Sequence, residues 1–501
     1  MRLAWIIVGW LLVIASGCWL RFHQLDARPF HADEATGARI TAERIENGGG
    51  EFDPEHFHGP LLGDVAAVVC KNQGETTWQT MRKDTLRTVT AAAGLLLVMV
   101  PLFWRGRLGD AGALLAGALI ACSPLLAYYS RMFIHEMPLA LLGMLVLSVL
   151  PSSFRWPAAG FFLGLMYATK ESFAISVVAW LLAALPIAWE RRGTWMPDGF
   201  GTAVKRWWKP VCVMGGIALF VSMMFYTQAL RHPQGGVDAV MTYFRYKLVE
   251  GHDKPFGYYF DLLFIPHKAG GVWWFGTPVV VLALMAFGSA HRVSVRGGVA
   301  SAWARFLGWS VIAHLLIYSL IAYKTPWLVC LTWAQLCLLA GFAFRFVSAK
   351  SWTAAAAVLA VFALFTQAKQ TRYATGRLSS DARNPFAYVP TRRDVEKVET
   401  FLRELRAAAP EIPVDSVAVT GSDYWPLPWY LRDFERVGYW PQPPDACKQM
   451  PFVFAMPDAV EACGVMLENT HVALPRGIRA GVPMVLHVRN DIWAVWMKPG
   501  N

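Results

Sequence analysis

The chain has 501 residues, of which 55% are hydrophobic and only 16% charged, and its formal net charge is +11. That composition excludes a soluble multidomain protein and points to a polytopic membrane protein. Part of the positive charge is the Lys and Arg excess of short cytoplasmic loops, so a nucleic-acid-binding role is excluded as well.

Apolar stretches long enough to cross a bilayer as helices number about eleven. They lie near 3–20, 86–103, 111–128, 136–151, 157–173, 174–189, 210–227, 273–290, 303–321, 327–344 and 352–368. Arg2, Arg105, Arg107, Arg155, Arg191, Arg192, Arg292, Arg305, Arg345 and Lys350 then fall on one face. The positive-inside rule makes that face cytoplasmic, together with the N-terminus. The loop 21–85, the turns at 129–135, 170 and 322–327, the loop 228–272 and everything after 369 face outward. The first apolar run continues through Trp19-Leu20 without the small-residue ending of a cleaved signal, so it reads as an anchor.

In the first outer loop, residues 33–46 read as a helix that Asp33 opens and Asn47-Gly48-Gly49-Gly50 ends. Leu61 to Cys70 is apolar but too short to span, and it suits the membrane interface. The chain divides into a transmembrane domain, 1–369, and an outer α/β domain, 370–501. The latter shows an amphipathic helix pattern over 391–408, a β-type run at 414–420 and further apolar runs at 451–456 and 484–488. Cys447 and Cys463 both lie in this outer domain, where a disulfide between them is an open expectation.

Four polar clusters interrupt the apolar chain: His31-Ala32-Asp33-Glu34, Tyr129-Ser130-Arg131 through His135-Glu136, Ala168-Thr169-Lys170-Glu171, and Tyr323-Lys324-Thr325-Pro326-Trp327. All fall on the outer side, which a reaction site explains. Asp33 or Glu34 suits a general base for a lipid-borne substrate, although each also suits a plain helix-capping role. Lys324, Arg131 and Lys170 are cations at outer span ends, where they can neutralise a leaving phosphate or merely snorkel toward lipid headgroups. His58, Tyr129, Tyr323 and Glu171 are expected to line the substrate site. Glu136 with Asp33 supplies ligands for a divalent metal, Mg or Mn, although nothing has structural-zinc spacing. The aromatic run Tyr424-Trp425-Pro426-Leu427-Pro428-Trp429-Tyr430 suits either a sugar-binding surface or the outer domain's core.

The acidic pair, the outer cations and the exported tail together resemble the GT-C superfamily of polyprenyl-phosphate-dependent glycosyltransferases. His31-Ala-Asp33-Glu34-Ala is similar to the first-loop motif of the protein O-mannosyltransferases and the aminoarabinose transferases of lipid A. In those families the matching Asp is the catalytic base, which implicates Asp33. A closer resemblance, over about 20–440, is to the bacterial and archaeal flippase activity-associated proteins. It rests on the joint order of His58-Gly59-Pro60-Leu61-Leu62, Tyr129-Ser130-Arg131, Ala168-Thr169-Lys170-Glu171, Tyr323-Lys324-Thr325-Pro326-Trp327 and Trp425 to Tyr430.

The resemblance implies an inverting transferase of the bacterial inner membrane. Its partners would be a polyprenyl-phosphate-linked sugar donor, an extracytoplasmic glycan, lipid or protein acceptor, and membrane lipids. The chain departs from the metal-dependent oligosaccharyltransferases in having no outer-loop Asp-x-Asp, although Glu136 stands near where their second acidic motif lies. The alternatives are a non-enzymatic flippase or transporter for lipid-linked sugars, or an assembly subunit. Transporters place their sites near the midplane, whereas here the ionisable groups crowd the outer span ends.

Overall fold

The computed structural model describes residues 2–150, 155–195, 200–245, 251–293, 298–346 and 350–498. Among them, seven helical stretches are long and apolar enough to cross a membrane: Leu3–Phe22, Lys83–Cys122, Phe173–Glu190, Val204–Tyr226, Gly298–Leu320, Pro326–Phe344 and Lys350–Thr375. Two shorter apolar helices, Glu136–Val149 and Thr277–Val293, and a helix at Arg155–Thr169 accompany them. The expected span 136–151 ends at a residue outside the described set. The expected span 111–128 is broken, because Ser123 accepts from the Leu126 N–H and Pro124 starts a new short helix, Pro124–Ser130.

Close backbone approach organises the bundle. A side chain at Gly112 would meet the Gly341 carbonyl oxygen at 2.3 Å, and one at Gly160 would meet that of Met214 at 2.4 Å. Small residues at these crossings let helices pack by van der Waals contact where lipid offers no hydrophobic contrast.

The first outer loop holds three elements that position the site. Helix α1 (Arg2–Phe22) is followed by α2 (Ala32–Glu46) and α3 (Leu61–Asn72), after which α4 (Lys83–Met99) enters the bundle. Both α2 and α3 form where the sequence pattern places them.

Strands β1 (His267–Ala269) and β2 (Val272–Trp274) form a small antiparallel hairpin that the pattern did not announce. The C-terminal domain is built on β3 (Ser416–Thr420), β4 (Arg436–Trp440), β5 (Phe452–Ala455), β6 (His471–Arg479) and β7 (Val482–Arg489), in spatial order β4-β3-β5-β7-β6. β3 runs parallel to both neighbours, with Val417 opposite Val437 and Phe452. β7 runs antiparallel to β5 and β6. Cys447 and Cys463 are free thiols buried together in a small cluster, with the Cys463 Sγ 3.2 Å from the Thr420 hydroxyl.

Two cores result. One fills the helical bundle. The other joins Phe30, Ala35, Ala38 and Ala42 of the first loop to Val417, Trp429, Tyr430 and Phe452 of the C-terminal domain. The first loop and the last hundred residues are therefore one packed body. The Phe30 N–H donates to the Tyr430 hydroxyl at 2.8 Å, the Thr391 hydroxyl donates to the Phe30 carbonyl at 2.8 Å, and Lys83 pairs with Glu396 at 2.6 Å.

Candidate active site

The local fold of α2 separates its two adjacent carboxylates. His31 is the N-cap: its ring accepts from the Asp33 N–H, and the Glu34 carboxylate takes the His31 N–H at 3.0 Å, closing a capping box. Glu34 is fully buried. Its oxygens receive Arg87 Nε at 2.7 Å and Nη2 at 2.8 Å, the Phe133 N–H at 2.9 Å and Arg28 at 3.4 Å. Burial alone would raise its pKa, but the charges of Arg87 and Arg28 hold it down at about 2. A carboxylate so enclosed is an anchor, and the catalytic role expected for Glu34 gives way to that one.

Asp33, one residue earlier on the helix, points outward with its side chain 52% exposed. Its charge reaches His252, Tyr323 and Tyr388. These three belong to one cluster. His252 Nδ1 lies 2.7 Å from the Tyr388 hydroxyl, and the His252 ring sits 5.0 Å from that of Tyr323. His31 Nε2 meets the Tyr388 carbonyl at 3.2 Å, while the Trp327 ring packs edge-on to those of Tyr388, His31 and Tyr129. Burial, with the charge of Lys254, keeps the His252 imidazole below its ordinary pKa against the pull of Asp33. Burial likewise pushes the Tyr323 phenol up to about 12. Lys254 places its ammonium 5.8 Å above the Tyr388 ring.

A second polar nest gathers three of the sequence motifs. The backbone of Gly59 runs so close to Ala168 that an added Cβ would meet its carbonyl oxygen at 2.3 Å, so only glycine fits there. The contact brings His58 Nδ1 to 3.1 Å from Glu171, and the His135 ring hydrogen-bonds the Gly59 backbone. Lys170 and Glu136 form a buried ion pair at 2.6 Å. Burial opposes ionisation of Glu171, but His58 and then Lys170 hold its carboxyl down at about 2. Burial, with the charges of His58 and Lys170, pushes His135 well below its usual range and leaves it neutral. Tyr323 stands between the two clusters, since Asp33, Lys170 and Glu136 all act on its hydroxyl.

Several expected site residues are placed differently from the roles the sequence suggested. Lys324 is buried, and its ammonium donates to the carbonyls of Lys254 and Ile321. It ties the 252–254 segment to 322–324, where Asp253 and Tyr323 form an antiparallel bridge. Arg131 donates to the carbonyls of His23 at 2.7 Å and Gln24 at 2.9 Å, closing the end of α1. Both cations, expected to hold a phosphate, spend their charge on backbone. Lys170 spends its own on Glu136. Tyr129 is buried, with its hydroxyl donating to the Phe386 carbonyl at 2.6 Å, and it lines a small cavity with His31, Trp327 and Tyr388, as expected of a site residue. Among the described residues no group of three or more His, Cys, Asp or Glu side chains is gathered to hold a metal. Glu136 is paired with Lys170, while Asp33, expected beside it as a metal ligand, is half exposed.

Sequence reasoning missed His252, Lys254, Tyr388 and Arg87. The run His252-Asp253-Lys254-Pro255 inside a long outer loop was the available signal for the first two. Nothing local marked the others.

No family model matches the chain, and no curated protein matches it. Solved structures do. ArnT from Cupriavidus metallidurans bound to undecaprenyl phosphate superposes with a TM-score of 0.63 at 15% identity, covering 98% of this chain and 99% of that one. The archaeal oligosaccharyltransferase AglB from Archaeoglobus fulgidus, in complex with an inhibitory peptide and a dolichol-phosphate, superposes with a TM-score of 0.55 at 12% identity, covering 91% and 69%. The likeness extends from the first span through the C-terminal domain, and the chain therefore shares the fold of these two proteins.

Proposed function

We propose that this protein is a membrane glycosyltransferase that moves a sugar from a polyprenyl-phosphate donor to an acceptor hydroxyl at the outer membrane surface. The observation that carries it is the division of labour on α2. Glu34 is locked into the fold, and that lock holds an exposed Asp33 beside the cluster of His252, Tyr323, Tyr388 and Lys254.

Asp33 takes the acceptor proton as the acceptor oxygen attacks the anomeric carbon. The bond from that carbon to the donor phosphate oxygen breaks, the anomeric centre inverts, and the carrier leaves as a polyprenyl phosphate. Lys254, whose ammonium is not tied to a carbonyl among the described residues, neutralises the departing phosphate. His58, Tyr323 and Glu171 border the donor side of the cleft.

Eleven spans fit this architecture. The 40-residue stretch Lys83–Cys122 breaks its helical geometry at Gly109 and so supplies two, while Glu136–Val149, Arg155–Thr169 and Thr277–Val293 complete the count. The chain then divides into a transmembrane part, 1–369, and an outer domain, 370–501. On the distribution of Lys and Arg, the protein sits in a bacterial inner membrane with a cytoplasmic N-terminus and a periplasmic C-terminal domain. The ArnT structure named above holds undecaprenyl phosphate, and that chemistry supports the donor class here.

The test is sugar release or transfer from undecaprenyl-phosphate-linked sugars by the purified protein in proteoliposomes, compared with Asp33→Asn and Lys254→Ala. Cleavage by the unaltered protein and its loss in Asp33→Asn is the expected result. Donor that crosses the bilayer uncleaved, indifferent to Asp33, refutes the transferase and identifies a flippase.

A further inference from the structure

Trp429, Tyr430, Phe452 and Phe454 of the C-terminal domain are buried. Three other aromatic side chains gather at its surface. Tyr424 and Trp425, in the turn after β3, are half-buried, and Tyr439 on the edge strand β4 is 38% exposed. Their rings make a stepped stack, with Tyr424 4.8 Å from Tyr439 and 6.3 Å from Trp425 at an interplanar angle of 27°. Planar polar groups frame it. Asp423, its side chain 64% exposed, pairs with Arg479 at 2.9 Å. The charge of Arg39 on α2 reaches the Tyr439 hydroxyl.

This combination suits one ligand class. A pyranose ring presents a C–H face that packs on aromatic rings, and vicinal hydroxyls that match a carboxylate and a guanidinium edge. The location adds to the chemistry. Arg39 follows Asp33 on the same helix by about 9 Å of axial rise. Arg479 acts electrostatically on His252 in the cleft, and its backbone bridges to Thr391, just beyond Tyr388. The stack therefore begins where the cleft ends.

We propose that Tyr424, Trp425 and Tyr439, with Asp423 and Arg479, form a saccharide subsite that holds the acceptor beyond its reacting hydroxyl. The inference rests on the transferase function above and names its acceptor class as a glycan.

The experiment uses the full-length protein in nanodiscs and saturation-transfer difference NMR. The probes are methyl pyranosides of gluco, manno, galacto and 2-acetamidogluco configuration. At least one binds the unaltered protein, and Tyr424→Leu combined with Tyr439→Ala weakens it roughly tenfold. Leucine keeps the apolar packing under Tyr424 while removing the ring, and Trp273→Ala, an exposed ring on β2, serves as the control that leaves binding unchanged. Binding of none of the probes, or equal binding by the double variant, overturns the subsite. Donor cleavage by the unaltered protein is measured alongside. Saccharide binding without any donor cleavage refutes the transferase, whereas cleavage without saccharide binding refutes the subsite alone.

Discussion

Replacing Glu34 by Gln should loosen α2 without touching the cleft directly. In the folded protein Glu34 accepts two hydrogen bonds from Arg87, one from the Phe133 N–H and one from the His31 N–H. Its carboxyl falls from the ordinary 4.5 to about 2. That shift corresponds to about 3 kcal/mol at neutral pH. Breaking a buried ion pair by removing one partner costs roughly 3–5 kcal/mol, so two independent routes agree. Because the folded pKa is the depressed one, the stabilisation is complete above pH 4.5 and drains away as pH falls toward about 2. Hydrogen exchange of peptides from 32–46 reads the effect locally, and Glu34→Gln should speed their exchange on the order of a hundredfold. Exchange within about threefold of the unaltered protein would refute the anchoring role. Arg87→Met paired with Glu34→Leu should restore only part of the protection. Arg87 also donates to the carbonyls of Leu25, Arg28 and Pro29, which an apolar pair leaves orphaned.

Asp33→Asn should lower donor cleavage by at least about a hundredfold while α2 exchange stays unchanged, and slowed exchange-independent loss below tenfold would argue against a base at this position. Lys254→Ala should weaken cleavage, with Lys254→Arg recovering part of it, whereas Lys324→Ala should instead raise protease sensitivity in the 252–254 segment that it ties down. Tyr430→Phe strands the buried Phe30 N–H and should destabilise the docking of the C-terminal domain by about 1–3 kcal/mol, read as faster exchange on both sides of that contact. Cys447, whose thiol burial pushes up to about 11, should resist iodoacetamide in the folded protein and react after unfolding; a disulfide to Cys463 recovered from native protein contradicts the free thiols.

The helical bundle was legible because a membrane span is a local property, an apolar run of sufficient length. The end of α2 was legible for a similar reason, since Asn47 and the glycines after it are helix-stop chemistry. The break at Ser123-Pro124 was local too, yet continuous hydrophobicity across it hid it. Roles of single charges were not legible. Arg131 and Lys324 resemble phosphate ligands by position, and only the folded chain shows Arg131 bound to carbonyls 108 and 107 residues away in sequence. The adjacent pair Asp33-Glu34 could not be separated by sequence, because one residue of helical rotation decides which carboxylate meets Arg87 and which meets the cleft. The aromatic run split the same way, with Trp429 and Tyr430 buried in the joint core and Tyr424 and Trp425 left at the surface.

The joint core also has a consequence in time. Ala35, Ala38 and Ala42 are synthesised early, but the side chains they bury against, Val417, Trp429 and Phe452, emerge only after the whole bundle. At about 5–20 residues per second the ribosome leaves the first loop half-covered for on the order of half a minute. The helix that presents Asp33 is thus completed by a segment made only after the bundle. A chain cut short before that segment keeps Asp33, His252, Tyr323 and Tyr388, but the helix that carries Asp33 has lost part of its support.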